Sequence, residues 1–267
     1  MPQLRLSRRQ VLAAGTAAAS GLFLPAYSRA NQRPVLTHGV QSGDVSADGA
    51  VIWARADRPS RMMVEVSTTE SFRDPMRLPG LGLTSATALM GKMELAGLPP
   101  DQEIFYRVTM LDLADVHAAS EPVVGRFRTA PTAVRDITFP WSGDTAGQGW
   151  GIDDEGMKTY ATMARHTPDF FLHSGDTIYA DGPLKETVEL EDGTVWKNIV
   201  TPEKSKVAET LDEFRGQWKY NLLDENVKAF NAAAPTFFQW DDHEVVNNWS
   251  SSKDLSEDER YSVKDVM

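Results

Sequence analysis

The sequence of 267 residues contains no cysteine and has fewer basic than acidic side chains. Without cysteine it can form no disulfide bond, no thiolate metal site and no cysteine nucleophile, so a metal ion could be held only by oxygen and histidine ligands. Lysine and arginine number 27 against 38 aspartates and glutamates, which gives a formal charge of −11. A protein that binds a nucleic acid backbone needs clustered basic residues. We therefore expect no nucleic-acid-binding surface.

Long apolar segments are scarce as well. The most apolar stretch, residues 11–26, follows Arg8-Arg9 and precedes the small-x-small triplet Ser28-Arg29-Ala30. This order is typical of a twin-arginine (Tat) export signal. A membrane-anchoring helix is the alternative, but the stretch is shorter than the roughly 20 residues that span a bilayer and is interrupted by glycine and proline. We predict that residues 1–30 are a signal peptide read by the Tat translocase. The mature chain is then periplasmic or extracellular, without a membrane span.

Several motifs of other enzyme classes are absent from the sequence. It has no Gly-x-Ser-x-Gly elbow, no P-loop, no His-Glu-x-x-His and no dinucleotide-binding Gly-x-Gly-x-x-Gly after a strand. The segment 145–150 is rich in glycine, but it follows an aspartate and lacks the lysine of a P-loop. We interpret it as an active-site loop at most.

The first half of the mature chain has the pattern of an all-β domain. Between residues 34 and 132, short alternating or β-branched segments are separated by glycine, proline, aspartate and serine. The clearest predicted strands cover residues 51–55, 62–67, 103–109 and 123–129. About a hundred residues of this kind predict a small antiparallel β-sandwich, which we assign to residues 31–133.

After residue 133 the pattern changes to alternating strands and helices. The predicted strands cover residues 137–141, 169–173 and 236–240, and the predicted helices cover residues 153–166, 211–221 and 225–233. This βαβαβ order with short apolar strands predicts a buried, largely parallel sheet in residues 134–267. The whole mature chain is therefore predicted to be an α+β protein of two domains.

Acidic residues stand at the predicted carboxyl ends of all three of these strands. Asp144 and Asp176 each follow a glycine, and Asp241 and Asp242 follow the third strand. A single such aspartate could equally be the N-cap of the next helix. Because ligands bind at the carboxyl ends of strands in such sheets, three acidic clusters on successive strands indicate one site. Converging carboxylates repel each other unless a cation neutralises them, so we predict a metal site.

Other candidate ligands lie close to these aspartates in sequence. Tyr179 comes three residues after Asp176; its phenolate would suit ferric iron, whereas aspartate and asparagine oxygens also accept calcium or magnesium. An aromatic side chain packed under a loop is the alternative for Tyr179. His243 could ligate a metal or donate a proton to a phosphoryl oxygen or leaving group. Three residues are possible additional ligands: Asp241, Asn247 and Asn248.

These motifs resemble those of the PhoD-like alkaline phosphatases, which belong to the metallophosphatase superfamily. The segment 39–44 (GVQSGD) and the strand that contains Trp53 resemble the family's N-terminal sandwich. Segments 174–179 (SGDTIY) and 240–249 (WDDHEVVNNW) resemble its metallophosphatase signatures, and a Tat signal is also typical of it. The resemblance implies a fibronectin type III-like sandwich followed by the first βαβαβ half of a metallophosphatase α/β sandwich.

The resemblance also implies a chemistry. Family members are secreted phosphomonoesterases and phosphodiesterases that use ferric iron and calcium, although another divalent metal also suits oxygen ligands. At the matching positions, Asp176 would bridge the metals, Tyr179 would bind the iron, Asp242 would take the place of an asparagine ligand, and His243 would sit near the transferring phosphate. Where the family has Ser-Cys-Gln with an iron-bound cysteine, this chain has Ser142-Gly143-Asp144. We predict a phosphoesterase in which a metal-activated hydroxide attacks phosphate mono- or diesters.

The proteins of this family are considerably longer than this chain, which matches their N-terminal half. We therefore expect an incomplete catalytic domain with one apolar sheet face open to solvent or covered by a partner. Two alternatives remain for the function. One is a non-catalytic remnant that acts as an interaction module, and the other is a secreted phospholipase D-like phosphodiesterase.

Overall fold

The computed structural model describes residues 33–115 and 117–265. The predicted signal peptide, residues 1–30, lies outside the described residues. Within the described part, no helix has the length and apolar character needed to cross a bilayer.

Residues 36–128 form antiparallel strands arranged in two sheets. Their bounds are β1 (Leu36–Gly43), β2 (Ala50–Ala56), β3 (Ser60–Ser67), β4 (Met76–Leu78), β5 (Gly82–Leu83), β6 (Met90–Leu95), β7 (Glu103–Asp112) and β8 (Val123–Arg128). A single-turn 3₁₀ helix, Ser85–Thr87, precedes β6. The first sheet has the order β1–β2–β6, and the second has the order β4–β3–β7–β8 with β5 beside β3.

The two sheets share one hydrophobic core. Along β2, β3 and β7 alternate residues are buried, as expected for strands with one face in a core. Ile52 of the first sheet and Val64, Tyr106 and Phe127 of the second belong to the same buried cluster. The four strands predicted in this part of the chain are confirmed.

The remaining elements alternate between strands and helices. They are β9 (Trp141–Ser142), α1 (Lys158–Ala164), β10 (Phe171–His173), β11 (Thr187–Glu189), β12 (Val195–Lys197), the 3₁₀ helix Glu203–Ser205, α2 (Leu211–Asn221), α3 (Glu225–Ala233) and β13 (Thr236–Phe238). Strands β9 and β13 pair with β10 in parallel, which confirms the predicted parallel sheet. The hairpin of β11 and β12 was not predicted.

Several predicted boundaries were wrong. The strand predicted over residues 137–141 is reduced to Trp141–Ser142, since Pro140 has no N–H to donate and the N–H of Thr138 bonds to Oδ2 of Asp169 at 2.9 Å. The helix predicted over residues 153–166 begins only at Lys158, because Gly156 just before it has a φ of +72°. The strands predicted over residues 169–173 and 236–240 are each shorter by two residues.

The parallel sheet has one covered face and one open face. On the covered face, Phe171 packs edge-to-face against Tyr160 of α1 and Phe230 of α3. On the open face, Trp141 lies beside Leu172 in register and is 71% exposed. An exposed aromatic side chain therefore lies on this face within the described residues.

The two parts of the chain meet where β1 contacts α3 and β13. Gly39, with a φ of +67°, lies against Lys228 of α3, where an added Cβ would come within 3.2 Å of the Lys228 side chain. A Cβ on Gly43 would approach the carbonyl oxygen of Thr236 to 3.4 Å. These glycines allow the first sheet to approach the second part of the chain closely at this edge.

Candidate metal centre

The ends of β9 and β10 run side by side and carry the first two predicted ligands. The N–H of Asp144 donates to the carbonyl oxygen of Gly175 at 3.1 Å, and the N–H of Thr145 donates to that of Asp176 at 2.9 Å. Asp144 and Asp176 both have positive φ, 60° and 52°, a conformation that aspartate tolerates better than most residues. These turns place the two carboxylates on the same side of the sheet edge.

Tyr179 connects these two carboxylates. Its hydroxyl donates to Oδ1 of Asp144 and lies 3.3 Å from Oδ2 of Asp176. The ring is 3% exposed and packs against the glycine-rich loop, where a Cβ on Gly147 would lie 2.1 Å from Cδ2 of Tyr179. The loop at residues 145–150 is therefore a wall of this site. The tyrosine both packs under a loop and directs its hydroxyl at two carboxylates.

The segment after β13 brings further groups to the same place. Asp176, Asp242 and His243 each have one potential ligand atom within 4.8 Å of the others. The backbone N–H of His243 donates to Oδ1 of Asp176 at 3.2 Å, and its ring lies over Tyr179 with the centroids 4.3 Å apart. Asp144 joins this group through Tyr179. The five main predicted site residues therefore lie together in the structure.

Two buried acidic residues that the sequence reasoning missed support the site. Oδ1 of Asp181 lies 2.7 Å from Nδ1 of His243, and its Oδ2 accepts the N–H of Asn247 at 2.8 Å. Glu244 is 2% exposed, and its carboxylate accepts the N–H groups of Thr177 at 2.6 Å and Asp241 at 2.9 Å. Asp181 therefore fixes the orientation of the imidazole, and Glu244 joins the two ligand-bearing loops.

The additional predicted ligands contact the site mainly through their backbone. Asn247 donates its N–H to Asp181, and Asn248 donates its N–H to Oδ2 of Asp242. Asp241 accepts the N–H of Asp242 at 2.9 Å and lies outside the group of three closely spaced ligand atoms. No side-chain contact in the described part of the chain directs these three residues at the centre.

The site has a strongly negative environment. Burial raises the pKa of Asp176, and the charges of Asp241 and Asp144 raise it further, while the N–H of His243 opposes them. Burial and the neighbouring carboxylates also raise the pKa of the Tyr179 phenol. Burial alone would lower the pKa of His243, but the hydrogen bond and charge of Asp181 outweigh it and raise the value.

The donor set fits a hard metal cation. Two carboxylates, those of Asp144 and Asp176, and the Tyr179 phenol converge on one point, with Asp242 and His243 beside them. Such a concentration of negative oxygen atoms is favourable when a cation neutralises it. Oxygen-rich sets of this kind suit iron(III), calcium or magnesium, and a cation would favour the phenolate form of the tyrosine.

Comparisons with known proteins point to one family. The family model described as "PhoD-like phosphatase" matches residues 139–267, and the model "PhoD-like phosphatase, N-terminal domain" matches residues 17–131. Alkaline phosphatase D of Bacillus subtilis (strain 168) is 30% identical over an alignment of 230 residues, and the match covers 80% of this chain and 36% of that protein. The chain thus spans about a third of the length of this relative.

Solved structures agree with the sequence matches. A structure described as "Structure of PhoD" matches with a TM-score of 0.64 and 28% identity, over 80% of this chain and 40% of that one. The purple acid phosphatase PPD1 from yellow lupin seeds matches with a TM-score of 0.52 and 12% identity, over 84% of this chain and 37% of that one. The second match shows a shared fold alone.

Proposed function

Since this chain belongs to the PhoD-like phosphatase family, we propose that it carries the metal centre of an exported phosphoesterase that hydrolyses phosphate monoesters, diesters or both. The observation that supports this most directly is the convergence of the Tyr179 hydroxyl on Asp144 and Asp176 beside His243. In this proposal Asp144, Asp176, Tyr179 and Asp242 hold the metals, and His243 faces the phosphate.

The proposal extends to the architecture and the metals. Residues 31–133 would be a fibronectin type III-like sandwich, and residues 134–267 the first half of a metallophosphatase sandwich. Tyr179 would bind ferric iron, with calcium as the second metal. Residues 1–30, with Arg8-Arg9 and Ser28-Arg29-Ala30, would direct export by the Tat translocase to the periplasm or the cell exterior.

The residues divide the chemistry among them. The bound metals would supply a hydroxide nucleophile and neutralise the charge that develops on phosphorus. Asp181 accepts a hydrogen bond from Nδ1 of His243, which leaves Nε2 on the side of Asp242, 3.9 Å from its Oδ1. When the ring is the imidazolium, Nε2 also carries a proton, which it can donate to a phosphoryl oxygen or to the departing alkoxide while Nδ1–H stays bonded to Asp181.

The test is phosphate release by the purified protein. With iron(III) and calcium supplied, we expect the wild type to hydrolyse para-nitrophenyl phosphate or its bis ester, and His243→Asn to be slower by about 10²- to 10⁴-fold. Asp154→Asn is the matched control, because Asp154 is exposed and lies outside the metal centre. Equal rates for wild type and His243→Asn would overturn the role of His243. Inactivity of the metal-loaded wild type towards both esters would overturn the proposed activity for this chain.

A further inference from the structure

A cavity lies between the first sheet and the second part of the chain, and its lining includes none of the five main residues of the metal centre. We call it the junction cavity; its volume is about 700 Å³. One wall is the outer face of the first sheet, where Trp53 lies beside Lys92 in register and Arg55 lies beside Met90. Trp53 and Met90 add apolar surface to this face, which in an antiparallel sheet is usually polar and solvated.

The opposite wall belongs to α2 and β13. Trp218 of α2 meets Phe238 of β13 edge-to-face, with the ring centroids 6.1 Å apart, and both line the cavity. Beside the cavity, Gly39 and Gly43 of β1 are in close contact with α3 and β13. The two walls are therefore in contact at one edge of the cavity and diverge beyond that edge. A cavity of this size and apolar lining is typical of a small-molecule site.

Arg55 brings to the cavity a positive charge that forms no salt bridge with any described residue, although the charge of Asp57 acts on it from further away. Its Nε donates to the carbonyl oxygen of Ala88 at 3.1 Å, and its Nη1 donates to the Thr37 hydroxyl at 3.2 Å. Both acceptors are neutral, and no carboxylate of the described residues forms a salt bridge with Arg55 or with Lys92. A guanidinium that is partly removed from water gains most from an anion within reach.

Other cations of the cavity are already paired. Arg215 forms a salt bridge with Asp212 at 3.2 Å, and Lys219 lies 4.0 Å from Glu203. The positive charge that remains is therefore concentrated on the side of the first sheet. Nδ1 of buried His38 lies 3.5 Å from Nη1 of Arg55. Burial and the positive charge of Arg55 both lower the pKa of His38, in agreement with a positive potential on this side of the cavity.

A further polar group of the cavity has no partner. The Thr236 hydroxyl oxygen is buried and forms no hydrogen bond with any of the described residues. We infer that the junction cavity is a binding site for a small amphiphilic anion, whose apolar body lies between Trp53 and Trp218 and whose acidic group bonds to Arg55. Charge complementarity selects this occupant over a cationic or a neutral apolar molecule.

The test is calorimetric titration of the full chain with laurate, a twelve-carbon carboxylate, below its micelle concentration. We expect one laurate to bind per chain, and dodecyltrimethylammonium, with the same chain length and the opposite charge, to show no binding at this site. Arg55→Gln should weaken laurate binding at least about tenfold, because a charge-assisted hydrogen bond is lost. Trp53→Ala should weaken binding through the loss of apolar contact.

Two controls keep the result interpretable. Trp141→Ala removes the most exposed aromatic side chain of the open sheet face and should leave laurate affinity unchanged. Lys92→Gln changes an exposed side chain, so this variant remains informative if Arg55→Gln fails to fold. We expect Lys92→Gln to weaken laurate binding and to leave the melting temperature of the protein unchanged. The proposal is overturned if laurate does not bind, if both charges bind equally, or if only Trp141→Ala reduces affinity. It is also overturned if a second copy of the chain occupies the cavity. In that case the protein would be a dimer that dissociates in Trp53→Ala and is not affected by laurate.

Discussion

Asp181 and His243 form a pair in which Oδ1 of the buried carboxylate lies 2.7 Å from Nδ1 of the imidazole. The aspartate belongs to the loop after β10 and the histidine to the loop after β13, so the pair joins two separate strand ends. Because the second oxygen of Asp181 is occupied by the N–H of Asn247, the carboxylate has one orientation. The ring of His243 is thereby held against Tyr179.

The first prediction follows from this pair. Asp181→Asn should reduce phosphoester hydrolysis by about 10- to 100-fold, because residues that orient a functional histidine commonly contribute this much. The double variant Asp181→Asn/His243→Asn should be no slower than His243→Asn, since Asp181 acts through the imidazole. Kinetic assays with metal content measured on the same samples would show this. Independent losses from the two substitutions would contradict the positioning role.

Glu244 gives a prediction about stability. Its two carboxylate oxygens accept backbone N–H groups from the loop after β10 and from Asp241, so Glu244→Gln would place an amide N–H₂ against donors. We expect the free energy of unfolding to fall by about 2–4 kcal/mol, measured by urea denaturation. Glu70→Gln, at an exposed position, is the matched control and should change it by less than about 0.5 kcal/mol. A small effect at Glu244 would mean that the loops are joined by other contacts.

A pair of glycine substitutions tests the close packing of the ligand loops. Gly175 has a φ of +94°, and an added Cβ would lie 2.3 Å from Cβ of Asp241, whereas Gly193 has a φ of +82° and free space around it. Gly193→Ala should cost about 1–2 kcal/mol from backbone strain alone. Gly175→Ala should cost at least about 3 kcal/mol, since it adds a clash to the strain. Similar losses at both sites would show that the two loops separate easily.

His38 makes the stability dependent on pH. Burial, together with Arg55, Lys219 and Lys228, lowers the pKa of His38 from 6.5 to about 4, so the fold favours the neutral imidazole. This stabilisation is complete above pH 6.5 and is lost as the pH falls towards 4, by up to about 3 kcal/mol. Urea denaturation of wild type and His38→Gln at several pH values isolates the effect. The difference between the two should vary between pH 6.5 and 4; a constant difference would contradict the prediction.

Much of the candidate site was accessible from the sequence because its residues follow strand ends. Asp144, Asp176 and Asp242 stand two or three residues after the predicted strands, and the parallel order of those strands brings them to one edge. Tyr179 and His243 could be named because they are close in sequence to these aspartates. Asn247 and Asn248 lacked such a signal, and their contacts with the site are through the backbone. Asp241 follows the same strand as Asp242, and its Oδ1 accepts the N–H of Asp242.

Asp181 and Glu244 were missed because their roles depend on the path of the loops. No periodicity marks Asp181, and only its approach to His243, 62 residues away in sequence, reveals its function. Glu244 directly follows His243, but the N–H groups that it accepts come from loops whose conformation is set by left-handed residues such as Asp176. In the fold, the alternation of β2 and β3 was a strong signal, whereas β9 was overestimated because neither Pro140 nor Thr138 donates an N–H to the strand ladder.

The most direct test of the metal centre is the metal content of the protein purified after loading with iron(III) and calcium. We predict bound metal in the wild type and in the exposed-site control Asp154→Asn, and loss of most of it in Asp176→Asn with the fold intact by circular dichroism. A wild type without bound metal, or an Asp176→Asn variant that retains the full amount, would contradict the claim that these strand ends form a metal site.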